Sequence, residues 1–207
     1  MNSPVTFTLL FANIAISLWA FYSNPIYFER FSEWPYQIIH EKRYYQVLTS
    51  AFLHANFMHL FFNMLALFSF GVFLETVFRN SFGEIYGSLY FFIIYFVSLF
   101  LGSLLTVVFN YKNPMYVAVG ASGAVSGVVF AYVILFPMNT IGVFFVPMPA
   151  FIFAFIYIGA SIWGMKSKFG NIGHEAHLGG AIGGVISTII LIPDAPRIFL
   201  ANFGIQI

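Results

Sequence analysis

Charged residues punctuate this chain so sparsely that the intervals between them define its elements. A helix that crosses a membrane needs about 20 mostly apolar residues. Charge-free runs and turn signals predict six such helices, over residues 4–22, 46–74, 85–109, 116–136, 140–165 and 175–192. Glu75 and Arg79 follow the second, Asn110, Lys112 and Pro114 follow the third, and Pro193 stops the sixth. No charge falls between residues 113 and 165, which is too long for one helix, and Pro137-Met138-Asn139 is the natural break. Pro147 and Pro149 predict that the fifth helix is kinked or starts late, because proline lacks an N–H and clashes with the preceding turn. There is no internal repeat and no low-complexity stretch.

Two connections carry the remaining polarity. Residues 23–43 hold Glu29, Arg30, Glu33, Glu41, Lys42 and Arg43 among Tyr27, Phe28, Phe31, Trp34 and Tyr36. Aromatics mixed with charges suit a segment lying in the membrane interface, and equally an ordinary loop. Residues 166–173 hold two lysines, Gly170 and Gly173, and are expected to form a polar lid beside His177.

Composition agrees with the spacing. The chain is 60% hydrophobic and 7% charged, where soluble domains carry about 25% charged residues, so apolar surface must face lipid. The net charge of +1 and the scattered basic residues give no reason to expect a nucleic-acid partner. The absence of cysteine excludes thiol catalysis and disulfides. The first basic residue is Arg30, so no basic leader precedes the first apolar segment, which is expected to be retained. Six spans place both termini on one side. Arg30, Lys42, Arg43, Lys112, Lys166 and Lys168 fall in loops of the opposite side, against Arg79 and Arg197. The excess of basic residues in cytoplasmic loops would then put the termini outside.

Polar residues within spans are costly and mark function by default. His59 and Asn63, four apart in the second helix, share a face and can donate to one point, although packing between helices would use them equally well. The fourth helix opens Gly120-Ala121-Ser122-Gly123, with Ser126 and Gly127 following. At a helix N-terminus the N–H of Ser122 is free and the dipole favours an anion, as an oxyanion site requires. In the sixth helix Ala176, Gly180 and Gly184 repeat every four residues, with His177 on the border of that stripe. Short Ser and His side chains come within hydrogen-bond reach only if their helices nearly touch, and Gly123, Gly127 and Gly180 would permit that. No Asp or Glu falls within reach in a span, which favours a dyad over a triad, with His as base and then acid. Ser126 shares the face of Ser122 but lacks its position at the helix start. His174-Glu175-Ala176-His177 has a spacing of three where zinc proteases place their histidines four apart, so no metal is expected.

Together these residues resemble the rhomboid family of intramembrane serine proteases. The matching motifs are His59-Leu60-Phe61-Phe62-Asn63, Gly120-Ala121-Ser122-Gly123 and Ala176-His177-Leu178-Gly179-Gly180, with Leu48-Thr49-Ser50-Ala51-Phe52-Leu53-His54 resembling the family's approach to its second helix. The resemblance spans nearly the whole chain as one domain, residues 1–207. It implies an all-α membrane protein, a six-transmembrane-helix rhomboid bundle of bacterial type with a membrane-embedded loop between helices one and two. It implies Ser122 as nucleophile, His177 as base, and an oxyanion hole formed by the Ser122 N–H with His59 and Asn63. Gly120, Gly123 and Gly180 would support that site, and the fifth helix with residues 166–173 would form a gate and cap. It implies no cofactor, transmembrane protein substrates cut by a serine-type endopeptidase, cytoplasmic termini against the basic-residue count, and a multi-pass home in a prokaryotic plasma (inner) membrane. The alternative is an inactive rhomboid-like protein that binds or escorts membrane clients. Two departures stand out. Many relatives have Trp-Arg where this chain has Tyr45-Gln46, and relatives often carry a tyrosine under the catalytic histidine where this chain has Ser126.

Overall fold

The structure, a computed structural model, describes residues 3–143, 146–167 and 173–205. It is an all-α bundle with one small hairpin. Helix α1 (Pro4–Tyr22) begins with proline at its first position, where a missing N–H costs nothing. Two short proline-led helices follow, α2 (Pro25–Phe31) and α3 (Pro35–His40), then α4 (Gln46–Thr49) and a 3-10 turn (Ser50–Phe52). Helix α5 (Phe57–Ala66), a π turn (Leu67–Gly71) and α6 (Val72–Phe82) run on as one 26-residue span. After α7 (Glu84–Asn110) and α8 (Ser122–Leu135) comes an antiparallel hairpin, β1 (Thr140–Val143) and β2 (Val146–Pro149). Helices α9 (Ala150–Ser167), α10 (His174–Leu191) and α11 (Ala195–Ala201) complete the chain.

Among the described residues four helices are long and apolar enough to cross a membrane, the spans Pro4–Tyr22, Phe57–Phe82, Glu84–Asn110 and Ala150–Ser167. A fifth is reached if α10 and α11, bent by 105°, count as one. The chain is therefore a multi-pass integral membrane protein; of the six expected spans, four or five meet the length and composition of a crossing helix among the described residues. The expected fourth span is a shorter apolar helix. Helix α8 has 14 residues, about 21 Å at 1.5 Å per residue, short of a hydrocarbon core about 30 Å thick. It is nevertheless the centre of the bundle, with only Ser122 and Ile134 outside its buried set.

Boundaries moved for identifiable reasons. The second span starts at Phe57 rather than 46 and continues past Glu75 to Phe82. Glu75 is fully buried, and its carboxylate accepts hydrogen bonds from Val5 N (3.0 Å), Thr6 N (2.8 Å), Thr6 Oγ1 (2.8 Å) and Ser88 Oγ (2.7 Å). It closes the N-terminus of α1 and ties three spans together, so an ionisable group sits inside a helix without an unmet partner. The fifth helix starts late, at Ala150, because Pro147 and Pro149 lie in β2.

The connection 23–43 is folded rather than loose. Gln46, buried completely, accepts from Trp34 N (3.3 Å) and donates to Arg30 O (3.3 Å) and Gln37 Oε1 (3.1 Å). Thr49 Oγ1 donates to Phe31 O at 2.9 Å. The Tyr45-Gln46 departure therefore retains a polar side chain that anchors this loop through its backbone. Glu33 pairs with Ala118 by two 2.9 Å backbone bonds, and Trp34 Nε1 donates to Pro114 O at 2.9 Å. These bonds join the loop to the segment that leads into α8.

Candidate active site

Glycine determines how closely α7, α8 and α10 approach. A methyl group built on Gly180 would lie 1.9 Å from the carbonyl oxygen of Gly123, and one on Gly184 would lie 2.1 Å from that of Gly127. On the α7 side, a methyl on Gly179 would lie 2.4 Å from Leu101 O and one on Gly102 2.8 Å from Ala176 O. Real side chains do not reach such distances, so these contacts exist only because no Cβ is present. The predicted small-residue seam is thus the α8–α10 interface. Gly123, next to Ser122, packs on the backbone of Ala176, next to His177.

Ser122 is the first residue of α8, half-buried, directly after a turn that only glycine tolerates. Gly120 has φ +126°, a left-handed value. A Cβ there would stand 2.7 Å from His59 Cε1 and 3.0 Å from its Nε2, so the His59 ring lies against the turn that presents Ser122. Gly120 N donates to Ser50 O at 3.0 Å, which pins the turn to the approach to α5. Behind it lies a cavity of about 20 Å³, lined by Glu33, Ser103, Gly120 and Gly123 among others.

His59 Nδ1 receives a long 3.4 Å bond from Ala55 N, which leaves Nε2 to carry the proton toward Gly120. Its neighbour His54, fully buried, shares a 2.8 Å bond with Ser17 Oγ and meets the His59 ring edge-on at 5.1 Å. Asn63 lies one turn below His59, and its Nδ2 donates to His59 O at 2.9 Å. One amide N–H of Asn63 is therefore engaged on its own helix, and the other remains for a ligand.

Ser126, the other serine on that face, is engaged in hydrogen bonds. Its Oγ donates to Ser122 O at 2.6 Å and is bonded to the hydroxyl of Tyr157 on α9. Tyr157 in turn lies 5.7 Å from the His177 ring at 30°, while His174 meets that ring at 6.3 Å and 82°. Tyr157 is the residue that reading the sequence missed; the signal was an aromatic absent at 126 and a tyrosine on the charge-free fifth helix. Among the described residues no hydrogen bond joins Ser122 to His177. Catalytic bonds in unliganded enzymes are often long and tighten only with substrate.

Outside the spans, Glu33 is the most perturbed acid. It is buried, accepts from Ser103 Oγ at 2.5 Å, and burial raises its carboxyl from 4.5 to about 8, with the Ser103 bond pulling the other way. Burial also pushes up the phenol of Tyr116, reinforced by the charges of Glu175 and Glu33. Among the described residues no three of His, Cys, Asp or Glu group as metal ligands would. Most of the expected cap, residues 168–172, lies outside the described residues.

A short buried helix that presents a serine at its N-terminus, beside a histidine held across a glycine seam, defines a polytopic membrane protein with a candidate hydrolytic site. The Rhomboid domain family profile matches residues 41–194, and the chain belongs to the rhomboid family. It is 32% identical over 146 residues to Rhomboid protein 1, mitochondrial, of Saccharomyces cerevisiae, which covers 68% of this chain and 40% of that protein. The rhomboid relative YdcA of Bacillus subtilis is 30% identical over 199 residues, 93% of this chain and 90% of its own. Rhomboid protease GluP of the same organism is 29% identical over 198 residues, 92% of this chain and 36% of its own. The chain thus spans about two fifths of the yeast protein and nearly all of YdcA.

Proposed function

We propose that this protein is an intramembrane serine endopeptidase that cuts single-span membrane proteins with a Ser122–His177 dyad. The observation that carries this reading is the bare-backbone contact of α8 with α10, which brings the flanks of Ser122 and His177 together beside the His59 ring. In the reaction Ser122 Oγ attacks the scissile carbonyl while His177 takes its proton. The carbonyl oxygen becomes an oxyanion that receives hydrogen bonds from Ser122 N–H, His59 Nε2–H and the unengaged N–H of Asn63. His177 then protonates the leaving amine, and the C–N bond breaks. Water, deprotonated by His177, hydrolyses the acyl-enzyme and restores Ser122. Gly120, Gly123 and Gly180 hold the backbone approach that this geometry needs.

A substrate helix hides its carbonyls in its own hydrogen bonds, so it must unwind before attack. Substrates are accordingly single-span proteins with a small residue at the cut and helix-breaking residues beyond it. Six helical segments, with α8 short and central, form the bundle. The loop of α2 and α3 lies in the membrane, and α9 is its gate. The termini are cytoplasmic and the membrane is a bacterial plasma membrane, consistent with the near-complete overlap with YdcA. The test is cleavage of a single-span reporter by purified protein in detergent. Wild type and Ser126→Ala cleave, whereas Ser122→Ala and His177→Ala do not; equal cleavage by wild type and Ser122→Ala would remove the dyad.

A further inference from the structure

We infer that Tyr157 is the positioning residue of His177, and that it makes alignment of the base depend on the docking of α9. This rests on the dyad proposed above. Around His177, α10 itself offers the small residues Ala176, Gly179 and Gly180 and, one turn earlier, His174, whose ring stands edge-on at 6.3 Å and 82° and covers no face of the imidazole. On α8 the residue one turn after Ser122 is Ser126, whose side chain is too short to cover the ring. The ring turned toward the face of His177, tilted by 30° at 5.7 Å, comes from Tyr157 on a third helix.

The same phenol is tied to the helix of the nucleophile. Ser126 spends its one proton on Ser122 O, so Tyr157 must be the donor to Ser126. A chain therefore runs from Tyr157 O–H to Ser126 to the carbonyl of Ser122, while the ring of Tyr157 rests on His177. One side chain registers the base against the helix that carries the serine.

The element that bears it is the least embedded of the four long spans, with 22% of its residues buried. Its buried residues are Ala150, Ala154, Ser161 and Gly164, all small, at the helical spacing that also places Tyr157 on that seam. Tyr157 packs against the core with its α9 neighbours Phe153 and Ile158, and its hydroxyl is bonded to Ser126 on α8. A shift of α9 away from α10 withdraws the ring from His177 and breaks the bond to Ser126 together. Docked α9 aligns the base, and displaced α9 frees it.

The experiment compares wild type, Tyr157→Phe, Tyr157→Leu and Ser122→Ala in reporter cleavage across pH, with thermal unfolding of each in the same detergent. Tyr157→Phe keeps the ring and loses only the anchor to Ser126, so kcat falls by no more than a few-fold. Tyr157→Leu keeps the bulk and loses the ring, and kcat falls roughly 10- to 100-fold, as misalignment of about 1 Å does. KM changes little, and the acid limb of the kcat profile, which reports the base, moves. A Tyr157→Leu variant with wild-type kcat and pH profile overturns the inference, as does a Tyr157→Phe variant as impaired as Tyr157→Leu. Loss in Tyr157→Leu that merely tracks a lowered unfolding temperature, with the pH profile unmoved, also overturns it. If Ser122→Ala cleaves as wild type does, the dyad itself fails, which is a separate result.

Discussion

Replacing Gly180 with alanine tests the glycine seam at its tightest point. The added methyl would lie 1.9 Å from Gly123 O, 2.6 Å from Gly123 C and 2.9 Å from Gly123 Cα, all backbone atoms that cannot rotate away. To regain even the 3.0 Å limit of a crowded contact, α8 and α10 must part by about 1 Å. Gly123 adjoins Ser122, and His177 lies less than one turn from Gly180, so the dyad opens by a similar amount. A Ser–His bond spans about 2.6–3.2 Å, and a further opening of about 1 Å would keep it from forming when substrate binds. Misplacement of that size costs about 100-fold in rate, or about 2.7 kcal/mol in the barrier. Stability falls by about 1–3 kcal/mol from overpacking, offset by up to about 1 kcal/mol of helix propensity gained over glycine. The assay is reporter kcat together with thermal unfolding in detergent. Gly159→Ala is the control, because a methyl there meets nothing within 4 Å, and it should leave rate and stability at or slightly above wild type. A folded Gly180→Ala protein with wild-type kcat would refute the reasoning, since the helices would then have room to spare at the site.

Glu75→Ala strands the N–H groups of Val5 and Thr6 at the buried start of α1 and should cost about 2–4 kcal/mol, as unmet buried donors do. Thermal unfolding should register this as a lowered midpoint at all neutral pH values, and an unchanged midpoint would contradict the role of Glu75 as a cap. Glu33 makes stability depend on pH in a definite direction. Its folded carboxyl holds its proton to about 8, against an ordinary 4.5, so between those values the unfolded chain has lost a proton that the fold keeps. Its contribution is therefore full below pH 4.5 and is lost as pH rises through about 8. Glu33→Gln cannot titrate and still accepts from Ser103; its melting midpoint should exceed that of wild type at pH 8.5 and change less between pH 5 and 8.5. Parallel pH curves for the two proteins would count against the burial argument.

Much of the bundle was legible because the membrane imposes a simple rule on composition. The expected bounds 4–22, 85–109 and 175–192 fall on α1, α7 and α10 within a residue, where proline, asparagine or a charge stops an apolar run. The rule failed where tertiary contacts supply what water otherwise would. Glu75 was read as an end and lies inside a helix, because α1 brings it two N–H donors and a hydroxyl. Gln46 was read as the start of a span and instead anchors a loop. The fourth helix was drawn six residues too long at its start, because Gly120 takes a left-handed conformation just before it. The candidate site residues stood out as polar side chains in apolar helices, with glycines at the spacing for close approach. Tyr157 was not, since its partners Ser126 and His177 lie on other helices and no periodicity along the chain connects them.

The nucleophile is most directly tested by treating the purified protein with a fluorophosphonate and locating the adduct by mass spectrometry of its peptides. The account predicts a single adduct on Ser122 that disappears in Ser122→Ala and in His177→Ala. An adduct on Ser126, or one that survives in Ser122→Ala, would contradict it.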